Sequence, residues 1–300
     1  MKVFMTGGTG FVGTYLSKRL VQEGHQVTIL TRDSRKVPPE HPGISYVVGD
    51  PTQEGPWMGA VVEHDWIINL AGASIFTRWT AGHKQEMYDS RIKTTRNLVI
   101  ALSEGDRRQF FCSTSAVGVY GPRGEETLTE DSPLDHDFLG ELAKDWEGEA
   151  LRARELGLRV VITRFGIVLG KEGGALATML PAFKGFVGGR LGSGEQWFSW
   201  IHHEDHARAF LFLQEHTEIR GPVNLTSPQP VRNRELTLAL GRVLGRPTFM
   251  TAPAFMVRLV LGELGNVLLT GQKVLPQRLL DAGFQFRFSG IEAALADLLS

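Results

Sequence analysis

The chain has 300 residues, with 32 Lys+Arg against 33 Asp+Glu and a formal net charge of −1. Balanced charge removes the electrostatic argument for nucleic acid or an anionic membrane as the main partner. A single cysteine, Cys112, excludes an internal disulfide, and the length suits one large domain or two modest ones.

Taken in chain order, the first half alternates short apolar runs with helical patterns. Residues 3–5 form a short strand, and 11–22 a helix with Phe11, Val12, Tyr15, Leu16 and Leu20 at helical spacing, stopped by Gly24. Further strands are expected at 26–30, 44–48, 66–70, 109–112 and 159–163. Between them lie a long helix with Ile92, Thr95, Val99 and Leu102 on one face, and a helix over 138–155. Short strands separated by helices imply right-handed crossovers and a parallel sheet. The fold class is therefore α/β, a doubly wound Rossmann sheet over 1–165, with some later chain returning to it.

After Arg164 the texture changes. Residues 166–194 are dense in glycine. A helix is expected over 205–215 with Asp205 as its cap, then a strand at 223–225 and a helix capped by Asn233. Residues 166–300 read as a smaller α/β substrate-side and C-terminal domain. The apolar stretch 254–269 carries Arg258, Glu263 and Asn266, so it is expected to be a buried helix rather than a bilayer span. The opening apolar run is broken at Gly7 and Gly8, unlike a signal peptide. A cytoplasmic protein without nucleic-acid or membrane partners is expected.

Residues 6–13 read T-G-G-T-G-F-V-G, directly between a strand and a helix. Gly7 permits the sharp turn, Gly10 leaves room for a pyrophosphate, and Gly13 lets the helix pack close to the sheet. The first turn, Phe11, Val12 and Gly13, presents free N–H groups and the positive end of the helix dipole. The end of the second strand selects the dinucleotide. There the chain reads L-T-R-D-S-R-K, residues 30–36. Arg32 at the strand tip suits the 2′-phosphate of NADP(H), so NADP(H) is favoured over NAD. Asp33 is the contrary signal, because a carboxylate there can hold a ribose of NAD. Arg35 and Lys36 are either phosphate contacts or a solvated loop. Asp50, after the third strand, is either an adenine contact or a turn residue ahead of Pro51. Leu70, Ala71 and Gly72 follow the fourth strand, where small residues let the backbone approach a cofactor.

These motifs, with N-L-A-G-A after the fourth strand and S-T-S-A-V-G-V-Y-G after the fifth, resemble the extended short-chain dehydrogenase/reductase superfamily. The blocks at 78–95 (R-W-T-A-G-H-K-Q-E-M-Y-D-S-R-I-K-T-T), 192–205 (G-S-G-E-Q-W-F-S-W-I-H-H-E-D) and the tail L-T-G-Q-K-V-L-P-Q-R-L-L-D-A-G-F-Q-F are similar to an atypical, sugar-epimerase-like subgroup of the NAD-dependent epimerase/dehydratase family. The resemblance covers essentially the whole chain. It implies NADP(H) binding, an oxidoreductase or nucleotide-sugar epimerase acting on a small, sugar-like substrate, and by analogy a homodimer.

The resemblance also exposes a gap. Superfamily members use a Tyr with a Lys four residues later as the acid/base pair. The four tyrosines here, Tyr15, Tyr46, Tyr88 and Tyr120, are followed at that spacing by Arg19, Asp50, Ile92 and Gly124. Leu139 and Ala143 stand where the Tyr and Lys belong, and Lys144 reaches the Lys place only by a one-residue shift. Ser115 matches the superfamily serine that orients substrate. Arg91 replaces an Asn as a cofactor contact, Glu86 lines the cofactor in the subgroup or is a solvent-face charge, and Arg164 matches an arginine on the nicotinamide side. Tyr120 is either a substitute acid or a packed aromatic. His202, His203 and His206 lack a further ligand set for a metal. Trp197 and Trp200 either stack on a ring-shaped ligand or are buried between domains. A non-catalytic NADP(H)-binding sensor or interaction protein is the alternative to an enzyme.

Overall fold

The computed structural model describes residues 1–37, 41–106 and 108–300, and the side chain of Lys36 lies outside the described set. Among the described residues, seven strands form one parallel sheet: β1 (Lys2–Thr6), β2 (Gln26–Thr31), β3 (Ile44–Val48), β4 (Trp66–Asn69), β5 (Phe110–Ala116), β6 (Arg159–Phe165) and β7 (Gly221–Leu225). Their order is β7-β6-β5-β4-β1-β2-β3. The strand order therefore reverses between β1 and β4, and in open α/β sheets that reversal opens a crevice at the carboxyl ends of the strands.

Alternation along the strands builds two core layers. Val3, Met5, Val27, Ile29 and Ile68 face one side, with Leu16 and Leu20 of α1 (Phe11–Gln22). Phe4, Leu30, Ile67 and Phe111 face the other. There they meet α2 (Trp57–Val62), α3 (Ala81–Ser103) and α4 (Phe138–Leu151). Cys112 sits inside this sheet, and burial pushes its thiol up to about 12, so it is inert at neutral pH.

The later chain adds a third cluster. Leu176, Leu180 and Phe183 of α5 (Gly174–Lys184) pack with Trp200, with Leu236 and Leu240 of α7 (Asn233–Leu244), and with Leu295 and Leu298 of α11 (Ile291–Leu299). Between α5 and α7, α6 (His203–Glu215) and β7 return to the main sheet, so Phe210 and Val223 belong to the first core layer.

Three details differ from expectation. His202, not Asp205, caps α6, its Nδ1 accepting from the Glu204 N–H at 3.1 Å. Asp205 lies inside the first turn, fully buried, and accepts the backbone N–H groups of Arg287 (2.8 Å) and Phe288 (2.7 Å), which ties the C-terminal segment to α6. Arg232, not Asn233, is the cap of α7, and the Asn233 side chain accepts instead from the Leu191 N–H. Stretch 254–269 is two helices, α8 (Ala254–Leu261) and α9 (Glu263–Leu269), broken at Gly262 with φ +60°. Nor is α8 buried: Val257 is its one buried residue. Its apolar residues drew the burial expectation, but nothing described covers them. A short α10 (Gln277–Asp281) precedes α11. No helix among the described residues is long and apolar enough to cross a membrane.

Candidate functional site

The glycine loop sits at the strand-order reversal. Gly7 adopts φ +69°, and a Cβ there would lie 2.7 Å from the Leu70 carbonyl, so the loops after β1 and β4 touch backbone to backbone. A Cβ on Gly13 would lie 2.5 Å from the Gly7 carbonyl oxygen, so the first turn of α1 is pressed onto the loop. Gly10 is the α1 cap and offers no side chain, and no acidic residue occupies the first turn. The helix end therefore keeps its positive dipole for an external anion. Val12 is half-buried, and the Phe11 ring packs on the turn at 170–174, where a Cβ on Gly173 would meet it at 2.5 Å. One residue thus offers its backbone to the crevice and its side chain to the later chain.

At the end of β2, Arg32 is exposed. Asp33 turns inward to the following turn: its carboxylate accepts from the Arg35 N–H (3.0 Å) and from Arg35 Nε (2.9 Å). The Asp33 charge is thereby matched within its own turn, while Arg35 is taken up by it. Asp50 is exposed, and its Oδ1 closes a turn by accepting from the Thr52 N–H (2.9 Å) and Thr52 Oγ1 (2.8 Å). At the end of β4, Asn69 links Thr6, Thr95 and Ser113 in one buried hydrogen-bonded group, which fixes β1, β4, β5 and α3 relative to one another. Ala71 donates its N–H to Thr6 Oγ1.

Arg91 projects from α3 under this loop. Its guanidinium donates to the carbonyls of Met87 and Ala73, both at 3.0 Å, lies against Gly72, and sits 5.2 Å from the Trp146 ring. Among the described residues no carboxylate pairs with it, and burial lowers its pKa to about 10. A half-buried cation beside the loop, with no counter-charge among the described residues, is suited to receive an anion. Glu86 is one helical turn and more away on a regular helix. It pairs with His83 (3.0 Å), which also meets the Ser74 carbonyl and Thr77, pinning the loop to the start of α3.

Where superfamily chemistry would take place, the polar groups bond to one another. Ser115 and Arg164 are register partners on β5 and β6. Ser115 is buried and donates its hydroxyl to Glu147 Oε1 at 2.6 Å. Arg164 holds the same carboxylate through Nε and Nη2, both at 2.8 Å, and donates through Nη1 to the Tyr120 hydroxyl at 2.8 Å. Tyr120 is fully buried and donates in turn to Asn224 Oδ1. Burial would depress the Arg164 pKa, yet the paired Glu147 carboxylate holds it above the usual range. Burial raises the Tyr120 phenol. Glu147, on α4, has no counterpart in the expectations from sequence; only its helical spacing of four from Ala143 marks its position.

Leu139 lies against Gly118 and Ala143 is buried, so the Tyr and Lys places present apolar groups. Lys144 faces outward to Glu141 at 3.5 Å, so a shift of register does not bring it in. His202 stacks on Phe288 (4.0 Å), His203 on Tyr15 (3.9 Å), and His206 meets Phe165 edge-on (4.3 Å). No group of three or more His, Cys, Asp or Glu among the described residues is placed to hold a metal ion. Trp200 is fully buried and donates to the Gln229 carbonyl, whereas Trp197 lies between Arg232 (4.5 Å) and Lys273 (5.1 Å).

The strand order, the touching loops and the open helix end define a doubly wound α/β protein of the dinucleotide-binding kind. Residues 3–225 match the model of the NAD dependent epimerase/dehydratase family, and 252–298 match a domain of unknown function, DUF1731. The chain belongs to the NAD-dependent epimerase/dehydratase family. It is 39% identical over 302 residues to the chloroplastic epimerase family protein SDR39U1 homolog of Arabidopsis thaliana, covering all of this chain and 87% of that protein. It is 39% identical over 307 residues to the epimerase family protein YfhF of Bacillus subtilis, covering 100% and 98%. The crystal structure of human epimerase family protein SDR39U1 with NADPH superposes with a TM-score of 0.88 at 34% identity, covering 99% of each chain. A nucleoside-diphosphate sugar epimerase from Corynebacterium glutamicum gives 0.79 at 30% identity, covering all of this chain and 58% of that one.

Proposed function

We propose that the chain binds NADP(H) in the crevice between the β1 and β4 loops and uses it in an oxidoreductase or epimerase reaction on a small, sugar-like substrate. The observation that carries the cofactor assignment is the division of labour after β2: Asp33 is engaged by Arg35, and Arg32 stands exposed at the strand tip. A carboxylate so engaged is poorly placed to claim a ribose, while a guanidinium there suits a 2′-phosphate. The human relative crystallised with NADPH supports the same reading. The residues fit the group: the α1 end and Gly10 would receive the pyrophosphate, Arg32 the 2′-phosphate, and Arg91 a further phosphate or ribose oxygen. Leu70, Ala71 and Gly72 would line the approach. When bound, NADP(H) would supply hydride transfer.

On the substrate side the chain offers Ser115, whose single proton is committed to Glu147. Ser115 can then only accept a hydrogen bond from a ligand hydroxyl, so it orients but does not protonate. A different observation, the apolar Leu139 and Ala143 in the Tyr and Lys places, favours a second reading, a non-catalytic NADP(H)-binding sensor. Purified protein incubated with NADPH and a panel of carbonyl compounds and nucleotide sugars separates the two. Turnover of any member establishes the enzyme. Tight NADPH binding without turnover, together with a change in assembly on binding, establishes the sensor.

A further inference from the structure

Among the described residues, nine of the fifteen exposed large apolar side chains fall within 186–187 and 238–260. Phe249 and Leu259 are each 77% exposed, and Phe255, Val260, Val187 and Phe186 are more than half exposed. They lie on two runs that the fold brings side by side. Residues 250–252 pair in parallel with 189–191, and Arg246 lies 4.4 Å from the Phe186 ring. On α8 the exposed positions 255, 256, 259 and 260 share one face, with Val257 pointing into the protein.

The charge on these runs departs from that of the whole chain. From residue 173 to 194 and from 236 to 262 there is no Asp or Glu, while Lys184, Arg190, Arg242, Arg246 and Arg258 are present. All five are exposed. Only Arg242 reaches a carboxylate, Glu292, among the described residues. Arg190 donates to Thr251, and Arg258 to Asn266. A chain of net charge −1 therefore carries one face that is both apolar and cationic.

We propose that this face docks on an anionic phospholipid surface, with the α8 side chains entering the acyl boundary and the arginines meeting the headgroups. Charge complementarity selects this occupant. A second copy of the chain would set five cations against five like charges, whereas an anionic bilayer offers apolar depth beneath a negative surface. Whole-chain charge balance, which argued against a membrane partner, does not register a segregation of this kind.

Co-sedimentation of the full chain with vesicles tests the proposal. One set is phosphatidylcholine alone and the other an equal mixture with phosphatidylglycerol. The expected result is pelleting with the anionic set at least about tenfold more strongly than with the neutral one, declining as salt is raised. Leu259→Glu with Phe255→Glu abolishes pelleting while the thermal melt is unchanged, since both residues are exposed. Arg246→Gln with Arg258→Gln lowers it by about tenfold or more and removes the lipid selectivity. The proposal is overturned if neither vesicle pellets the protein, or if the Leu259 variant binds as well as the parent. It is equally overturned if the parent is a dimer that the Leu259 variant dissociates, which assigns the face to a second copy.

Discussion

Arg164 grips Glu147 through two parallel hydrogen bonds of 2.8 Å, and both side chains are less than a tenth exposed. Arg164 stands near the end of β6 and Glu147 on α4, and together they also fix Ser115, at the end of β5, and Tyr120. Such a pair is costly to desolvate, and its geometry offsets that cost only while both partners remain.

Removing one partner is therefore expected to be worse than removing both. Glu147→Leu or Arg164→Met alone should each destabilise by about 3–5 kcal/mol, because each leaves a buried charge unmatched. The double variant should lose clearly less than the sum. Denaturant unfolding of the four proteins in a double-mutant cycle measures the coupling. Strict additivity would show that the pair is not a unit.

Arg91 is expected to behave in the opposite way. It is a half-buried cation with no carboxylate partner among the described residues, so Arg91→Met should change unfolding free energy by less than about 1 kcal/mol, the lost carbonyl contacts being offset by relief of charge burial. NADPH affinity should fall at least about tenfold, the scale of one lost charge-assisted contact. Calorimetric melting and a fluorescence titration on the same variant give both numbers. A large stability loss with unchanged affinity would make Arg91 a structural residue.

Acid stability should depend on two buried histidines. Burial lowers His202 and His206 to about 3 from an ordinary 6.5. The unfolded chain therefore binds more protons than the folded one between those values. Their stabilising contribution is complete above pH 6.5 and is lost as pH falls toward 3, by on the order of 2 kcal/mol for each by pH 4.5. His206→Phe, placed beside Phe165 and Phe210, should flatten the acid limb of the stability profile. An unaltered acid limb would mean that His206 does not stay neutral in the fold.

The features legible in sequence were those made by neighbours in the chain. The glycine loop needs only a strand, three glycines and a helix in succession, and the apolar run Val3, Phe4 and Met5 announces a short strand, which the fold buries on both sides. Asp205 and Asn233 have the residue types of helix caps, but their partners, the 287–288 backbone and Leu191, are distant in sequence and outcompete the local role. Glu147 was invisible for the same reason: an acidic residue on a helix reads as solvent-facing until Arg164 is brought beneath it. The exposure of α8 is not legible in sequence, because hydropathy reports what a segment can bury, not whether anything covers it.

Arg32, with Asp33 engaged by Arg35, is proposed to select NADP(H) over NAD(H) at this crevice. Parallel titrations of the protein and its Arg32→Ala variant with NADPH and NADH test it most directly. The parent should bind NADPH at least about tenfold more tightly than NADH, and the variant should lose this preference while its NADH affinity stays the same. Equal affinity of the parent for both dinucleotides, or a variant that keeps the preference, would contradict it.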